Sequence, residues 1–167
     1  MTVKIALQLA IAALALSTIA PAQAPLFPGA RRPASTPSAV EYLYPEQLSL
    51  AAGKPATVVL HFRVAPGLHI NSHKPHEEFL IPTVFSIPEA SGVRLEAATY
   101  QVGTDYTSPL DPSAKLNVYS GEFTIQVRLV ATAGDHLVEA KLRYQACDNN
   151  ACMPPKTIPV AIDVIGK

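Results

Sequence analysis

The sequence predicts an all-β fold, and three observations support this prediction. The 167 residues include 16 prolines, each of which removes a backbone hydrogen-bond donor and fixes φ, so a helical bundle is disfavoured. From Val40 onward, apolar and polar residues alternate with a period of two, which is typical of strands that bury one face. Residues that favour turns, chiefly Gly, Pro and Asp, separate the alternating runs.

Four segments alternate clearly and three others alternate weakly. The clear strands are Thr57–Val64, Gly121–Val130, Leu137–Ala146 and Thr157–Val164, and the weaker ones are Val40–Tyr44, Thr83–Ile87 and Val93–Tyr100. Each clear strand places one set of apolar side chains on a core, as antiparallel strands do. Seven or more short strands joined by regular turns predict an immunoglobulin-like antiparallel β-sandwich.

Length and charge limit the classes of function. The chain is long enough for one domain with a proper core, and 13 basic residues balance 13 acidic ones. A net charge of zero gives no electrostatic basis for binding nucleic acid or an anionic membrane surface. We therefore expect no nucleic-acid partner, and we expect the mature protein to be a monomer that is not embedded in a membrane.

The N-terminus has the features of a secretory signal peptide. Lys4 supplies a positive charge, and the mostly apolar run Ile5–Ala20 follows it. Pro21 ends this run, and Ala22-Gln23-Ala24 has the A-x-A form of a cleavage site. We predict that residues 1–24 are a signal peptide cleaved after Ala24, and an uncleaved membrane anchor is the alternative interpretation of the same segment. Export would place the cysteines in an oxidising compartment, where a disulfide can persist.

Three further segments complete the predicted organisation. Residues 25–39 are rich in Pro, Ala and Ser without a period, which predicts an extended linker before a folded domain over residues 40–167. Gly103–Asn117 contains two prolines and is predicted to be a long loop, a feature that is usually functional or mobile in a small domain. Cys147–Pro155 joins two of the clear strands.

Cys147 and Cys152 are the only cysteines, and four residues separate them at a predicted exposed edge. Asp148, Asn149 and Asn150 favour turns, so a disulfide is within reach. In the chain-entropy model, a disulfide that closes a loop of about six residues stabilises the fold by roughly 2 kcal/mol. A disulfide that spans most of a domain would stabilise it by roughly 4 kcal/mol. Exposed short-loop disulfides tend to be labile or catalytic. The residues alone leave a redox-active pair and a local staple equally open.

The segment around the cysteines resembles the N-terminal periplasmic domain of the thiol:disulfide interchange protein DsbD, of the cytochrome c biogenesis reductase family. The resemblance rests on a Tyr-Gln-x-Cys start at Tyr144–Cys147, a short polar insert, Cys152, and the pair Pro154-Pro155 before the final strand. Upstream, Gly67–Asn71 resembles the family's Gly-x-His/Tyr-x-Asn/Tyr strand end. The similarity covers roughly residues 40–164.

This resemblance implies an immunoglobulin-like domain that relays electrons in the periplasm and needs no cofactor. Cys152 would form the mixed disulfide with partners, and Cys147 would resolve it. Tyr106, within the predicted loop, would be a cap residue that covers the disulfide until a partner docks. The residues that would line the site are His69, Asn71, Tyr144, Gln145 and Pro154.

The implied partners are thioredoxin-like periplasmic oxidoreductases and a DsbD-type membrane electron donor. The chain contains no C-x-x-C pair and no second long apolar run, so the electron donor is expected to be a separate protein. An enzymatic activity, if the chain has one, would be thiol:disulfide interchange of the protein-disulfide reductase type.

Two other functions stay open at the level of sequence. His69, His73 and His76 form a dense set of donors, and thiolate and imidazole ligands suit copper. A periplasmic copper metallochaperone could therefore use Cys147, Cys152 and a histidine, although the chain carries no established metal-binding motif. The third hypothesis is an interaction module whose disulfide is inert.

Overall fold

The computed structural model describes residues 38–44, 47–89, 91–109, 112–113 and 115–167, and these residues form strands, turns and loops without a helix. The strands are β1 (Val40–Leu43), β2 (Leu48–Leu50), β3 (Ala56–Val64), β4 (His69–Asn71), β5 (Val84–Ser86), β6 (Val93–Tyr100), β7 (Thr104–Thr107), β8 (Lys115–Tyr119), β9 (Glu122–Ala131), β10 (Gly134–Tyr144), β11 (Ala146–Cys147) and β12 (Lys156–Gly166). All seven predicted strands are present.

Two four-stranded sheets make the body of the domain. The first has the order β1-β3-β9-β6 and the second has the order β2-β12-β10-β5. Neighbouring strands are antiparallel except for β2, which runs parallel to β12. The prediction of an all-β, immunoglobulin-like antiparallel sandwich is confirmed.

The inward faces of both sheets contribute to one hydrophobic core. The alternation in the sequence identifies these positions, because successive side chains of a strand point to opposite faces. The core side chains of the four longest antiparallel strands are Leu60, Phe62, Val64, Phe123, Ile125, Val127, Leu129, Ala131, Val138, Ala140, Leu142, Tyr144, Val160, Ile162 and Val164. Burial of this apolar area supplies the main favourable term in folding.

A third sheet, with the order β11-β4-β8-β7, carries the cysteines. Tyr119 of β8 is buried and stacks on Phe123 at 4.7 Å between ring centroids, and Phe123 in turn stacks on Phe62 at 5.3 Å. This row of rings joins the third sheet to the core of the sandwich. The Tyr119 hydroxyl also donates to the carbonyl of Gln101 at 2.8 Å.

The prediction that Gly103–Asn117 is a long loop is wrong for seven of its fifteen residues, 104–107 and 115–117, which lie in strands. Thr104–Thr107 and Lys115–Tyr119 form the antiparallel pair β7–β8, in which Tyr106 lies opposite Leu116. β7 could not be predicted from the sequence, because its apolar and polar residues do not alternate. Only Tyr106 is partly buried in this strand. The two prolines of the segment lie in the connection between the strands.

The predicted strand Leu137–Ala146 is divided in the structure. β10 ends at Tyr144, where it still pairs with β12, whereas Ala146 and Cys147 pair with β4 in the third sheet. The chain therefore changes sheets at Gln145, two residues before the first cysteine.

The predicted signal peptide and most of the predicted linker, residues 1–37, lie outside the described residues. Ala39, placed in the linker by the sequence analysis, is buried and belongs to the core cluster. The part of the chain that is described contains no helix of the length and apolarity needed to cross a membrane.

Candidate functional site

β4 and β11 form the centre of the candidate site. His69 pairs with Cys147 in antiparallel register, so the two side chains point to the same face. The N–H of Asn71 donates to the carbonyl of Gln145 at 3.4 Å. Because the side-chain period of a strand is two, Asn71 and Gln145 lie on the same face as His69 and Cys147. The register thus brings four of the residues selected from the sequence onto one surface.

Cys147 and Cys152 are joined by a disulfide with an S–S distance of 2.03 Å and a Cα–Cα distance of 3.9 Å. The two cysteines differ in exposure, because Cys147 is 2 % exposed whereas Cys152 is an exposed residue. The predicted exposed edge is correct for Cys152 and wrong for Cys147. Pairing with β4 turns the Cys147 side chain toward His69, whereas Cys152 lies beyond the strand beside the exposed residues Met153 and Pro154.

The loop between the cysteines is held by its own hydrogen bonds. The Asp148 carboxylate accepts the backbone N–H groups of Asn150 at 2.7 Å and Ala151 at 2.8 Å. The Asp148 N–H donates to the Ala151 carbonyl at 3.0 Å, and the Met153 N–H donates to the Ala146 carbonyl at 2.8 Å. A side chain that accepts from the backbone two and three residues ahead is the usual device of an Asp-initiated turn.

Tyr106 contacts both β4 and the loop between the two cysteines. Its ring lies against the ring of His69, with centroids 4.4 Å apart. Its hydroxyl donates to Oδ1 of Asn149, in the loop between the cysteines, at 2.8 Å. The residue selected as a candidate cap therefore bridges β4 and the cysteine loop.

His69 and Asp148 are titratable residues beside the disulfide. Burial lowers the pKa of His69, and the nearby Asp148 carboxylate partly opposes this shift. The backbone N–H groups of Asn150 and Ala151 hold the pKa of Asp148 below its usual range. Near neutral pH, the site therefore combines an anionic Asp148 with a His69 whose neutral form is favoured.

Gln145 and Asn71 connect the third sheet to the segment after Cys152. Nε2 of Gln145 donates to the Met153 carbonyl at 3.2 Å, and Oε1 of Gln145 accepts from Nδ2 of Asn71 at 3.4 Å. Asn71 is fully buried, and its Nδ2 also donates to the Ile81 carbonyl at 3.1 Å. Its Oδ1 is buried without a hydrogen-bond partner among the described residues.

The strand that carries Tyr106 is anchored by the residue before it. Asp105 accepts from Nδ2 of Asn117 at 3.2 Å and is hydrogen-bonded to Nε2 of His76 at 2.9 Å. The bond to His76, followed by that to Asn117, lowers the pKa of Asp105. Both contacts are exposed, so each contributes little to the stability of the fold.

The structure places Tyr144 and His73 away from this face. Tyr144 is 1 % exposed in the core, and its hydroxyl lies 3.3 Å from Oγ of Ser38. His73 stacks on Tyr100 with centroids 3.7 Å apart, and its Nδ1 lies 2.9 Å from the Thr83 carbonyl oxygen. Across the described residues, no group of three or more His, Cys, Asp or Glu side chains is arranged to hold a metal ion.

The family model for the N-terminal domain of the thiol:disulfide interchange protein DsbD matches residues 39–163, which is most of the chain. The chain belongs to the DsbD N-terminal domain family. None of the curated protein sequences matches it.

Two solved structures are also similar to the chain. The reduced N-terminal domain of Neisseria meningitidis DsbD is 20 % identical, with a TM-score of 0.47, and the match covers 69 % of this chain and 82 % of that one. The N-terminal periplasmic domain of ScsB from Proteus mirabilis is 11 % identical, with a TM-score of 0.50, over 74 % of this chain and 44 % of that one. At this level of identity, the match to ScsB shows the fold.

The turn predicted from Asp148, Asn149 and Asn150 is present, because the Asp148 carboxylate accepts the backbone N–H groups of Asn150 and Ala151. The contact in which Asn149 accepts the Tyr106 hydroxyl was not predicted. An Asp that directly follows a cysteine and begins a short polar loop is a recognisable signal for such a turn. No local signal connects Asn149 to Tyr106, because 43 residues separate them.

Proposed function

We propose that this DsbD-type domain is a periplasmic thiol–disulfide exchange module. It relays electrons between a membrane-embedded or thioredoxin-like donor and periplasmic oxidoreductases, through the Cys147–Cys152 pair. The observation that carries the proposal is a disulfide with one buried and one exposed cysteine, on the hairpin that the family signature marks.

The proposed reaction is a pair of exchange steps. A thiolate of the reduced donor attacks Cys152, so that a mixed disulfide forms and the Cys147 sulfur leaves as a thiolate that takes a proton. The second thiolate of the donor then attacks the donor's first sulfur, which is bonded to Cys152 in the mixed disulfide. Cys152 leaves as a thiolate and is protonated. The donor loses two electrons and becomes a disulfide, while the Cys147–Cys152 pair gains two electrons and two protons. Transfer to the acceptor reverses these roles.

The difference in exposure supports separate roles for the two cysteines. A partner's sulfur must approach along the S–S axis, so the cysteine that it attacks must be accessible. Cys152 is exposed and is followed by the exposed residues Met153 and Pro154, whereas Cys147 is buried beside His69. Cys152 is therefore the residue that joins a partner, and Cys147 is the residue that resolves the mixed disulfide.

Tyr106 is the cap of this site in the proposed mechanism. Its contacts with His69 and Asn149 support this role, because they restrain β7 against the cysteine loop and must break when β7 moves aside for a partner. His69, Asn71 and Gln145 line the face beneath it, and Pro154 lies on the exposed side.

The cellular setting forms part of the same proposal. Residues 1–24 are a signal peptide cleaved after Ala24, so the domain works in the periplasm, where disulfides persist. The family description as a thiol:disulfide interchange protein supports thioredoxin-like partners. Cytochrome c biogenesis, which needs reduced thiols outside the cytoplasm, is the process that such a relay would serve.

Direct electron transfer tests the proposal. We expect the oxidised protein, mixed with a reduced thioredoxin-like protein, to gain two free thiols that an alkylating reagent detects by mass. The double variant Cys147→Ala/Cys152→Ala provides the control and should gain no label. If dithiothreitol reduces the disulfide but no thioredoxin-like protein does, the disulfide is a staple and the proposal is wrong.

A further inference from the structure

The loop between the cysteines contains a restraint that the exchange reaction does not itself use. We propose that Asp148 is a positioning residue, whose carboxylate keeps the two thiols of reduced Cys147 and Cys152 close together and thereby sets the equilibrium between dithiol and disulfide. This inference deepens the proposed function and rests on it for its biological meaning.

The hydrogen bonds that shape the loop do not involve sulfur. Oδ1 of Asp148 accepts from the backbone of Asn150 and Ala151, and the Asp148 N–H donates to the Ala151 carbonyl. Reduction converts the S–S bond into two thiols and leaves the groups that make these three bonds chemically unchanged. The turn can therefore persist in the reduced protein.

The other flank of the hairpin is held independently of Asp148. The Met153 N–H donates to the Ala146 carbonyl at 2.8 Å, and Nε2 of Gln145 donates to the Met153 carbonyl at 3.2 Å. β11 itself is paired with β4. Since one flank is fixed by the sheet, the turn formed by Asp148 is the part of the loop that a single side chain controls.

The position of the turn determines where Cys152 lies relative to Cys147. The Cα atoms of the two cysteines are 3.9 Å apart, and backbone hydrogen bonds close the hairpin immediately on both sides of them. A loop that keeps this geometry after reduction presents the two thiols to each other at a high effective concentration. A high effective concentration favours the disulfide, so the reduction potential becomes more negative.

Removing the carboxylate gives the opposite result. Without the acceptor for Asn150 and Ala151, the reduced loop explores more conformations, and this gain in entropy stabilises the dithiol. The disulfide restrains the oxidised loop covalently, so the oxidised form gains less. We expect Asp148→Ala to favour the reduced form.

The experiment compares equilibrium constants for the intact protein in glutathione redox buffers at pH 7. Loss of the two exposed hydrogen bonds to Asp148 is expected to change the equilibrium constant between disulfide and dithiol by about threefold to tenfold. For this two-electron couple, a tenfold shift raises the potential by about 30 mV. We expect Asp148→Ala to shift the constant within this range, toward the dithiol.

Two matched variants separate the causes. Asp148→Asn keeps an oxygen that accepts both N–H groups but removes the charge, and we expect its constant to stay within about twofold of the wild type. Asp135→Ala removes an exposed carboxylate at the start of β10, remote from the hairpin, and should have no effect. A general loss of stability would weaken both redox forms equally and leave the constant unchanged.

Two results would overturn the inference. The first is an Asp148→Ala constant equal to that of the wild type. The second is an equal shift in Asp148→Ala and Asp148→Asn, which would assign the effect to charge. Neither result depends on exchange with a partner protein, because glutathione reports the equilibrium of any reducible disulfide. Failure of the positioning role is therefore distinguishable from failure of the proposed relay.

Discussion

Replacing Cys147 with alanine is expected to leave a domain that accumulates a mixed disulfide with glutathione at Cys152. In the reduced variant, the exposed Cys152 attacks glutathione disulfide, and no neighbouring thiol displaces the bound glutathione. The reciprocal variant Cys152→Ala retains only Cys147, which is 2 % exposed and lies beside His69. We expect modification of Cys147 to be slower by about tenfold or more, because its sulfur is the less accessible one.

Mass spectrometry measures this difference as the rate at which each variant gains one glutathionyl group. The same reaction in a denaturant provides the control, since both cysteines should react at similar rates once the fold is lost. Equal rates in the folded proteins, or faster modification of Cys147, would contradict the assignment of Cys152 as the residue that joins partners.

Replacing Tyr106 with alanine is expected to speed reduction of the disulfide by dithiothreitol by about tenfold. The variant loses the ring contact with His69 and the hydrogen bond to Asn149, and each interaction contributes about 0.5–1.5 kcal/mol to keeping the cap in place. Tyr106→Phe keeps the ring but loses the hydroxyl, so we expect a smaller acceleration of about threefold. Stopped-flow or quenched alkylation measures the rate constants.

Another ring contact between a tyrosine and a histidine provides the matched control. Tyr44 packs edge-on against His61, with ring centroids 5.8 Å apart. His61 lies on β3 of the first sheet, whereas the cysteines lie in the third sheet. Tyr44→Ala should therefore leave the rate of reduction unchanged. If Tyr106→Ala and Tyr44→Ala have the same rate as the wild type, Tyr106 does not gate the disulfide.

The sandwich was predictable because its signal is local. Phe62 and Val64 on β3, or Val138 and Leu142 on β10, recur at every second position, and the structure buries each of them. The same signal is missing from β7, where only Tyr106 is partly buried, so the sequence predicted a loop there. A strand in a small peripheral sheet buries too few side chains to require an alternation of apolar and polar residues.

The parts of the candidate site that could be predicted are those whose residues are close together in the sequence. The cysteine spacing and the flanking Tyr-Gln and Pro-Pro pairs identified the hairpin, whereas the burial of Cys147 depends on its pairing with β4. Tyr144 shares the signature but faces the core, because the change of sheet at Gln145 follows it. Contacts such as Tyr106 with Asn149 depend on how the strands pair, which a single sequence does not reveal.

The equilibrium reduction potential of the Cys147–Cys152 pair distinguishes an electron relay from a structural disulfide. A relay must accept electrons from a thioredoxin-like donor, at about −270 mV, and pass them to periplasmic oxidoreductases, which extend to about −120 mV. Equilibration of the intact protein with glutathione or thioredoxin should therefore give a potential between these values. A potential below about −300 mV, the range of inert structural disulfides, would show that the pair is a staple and does not relay electrons.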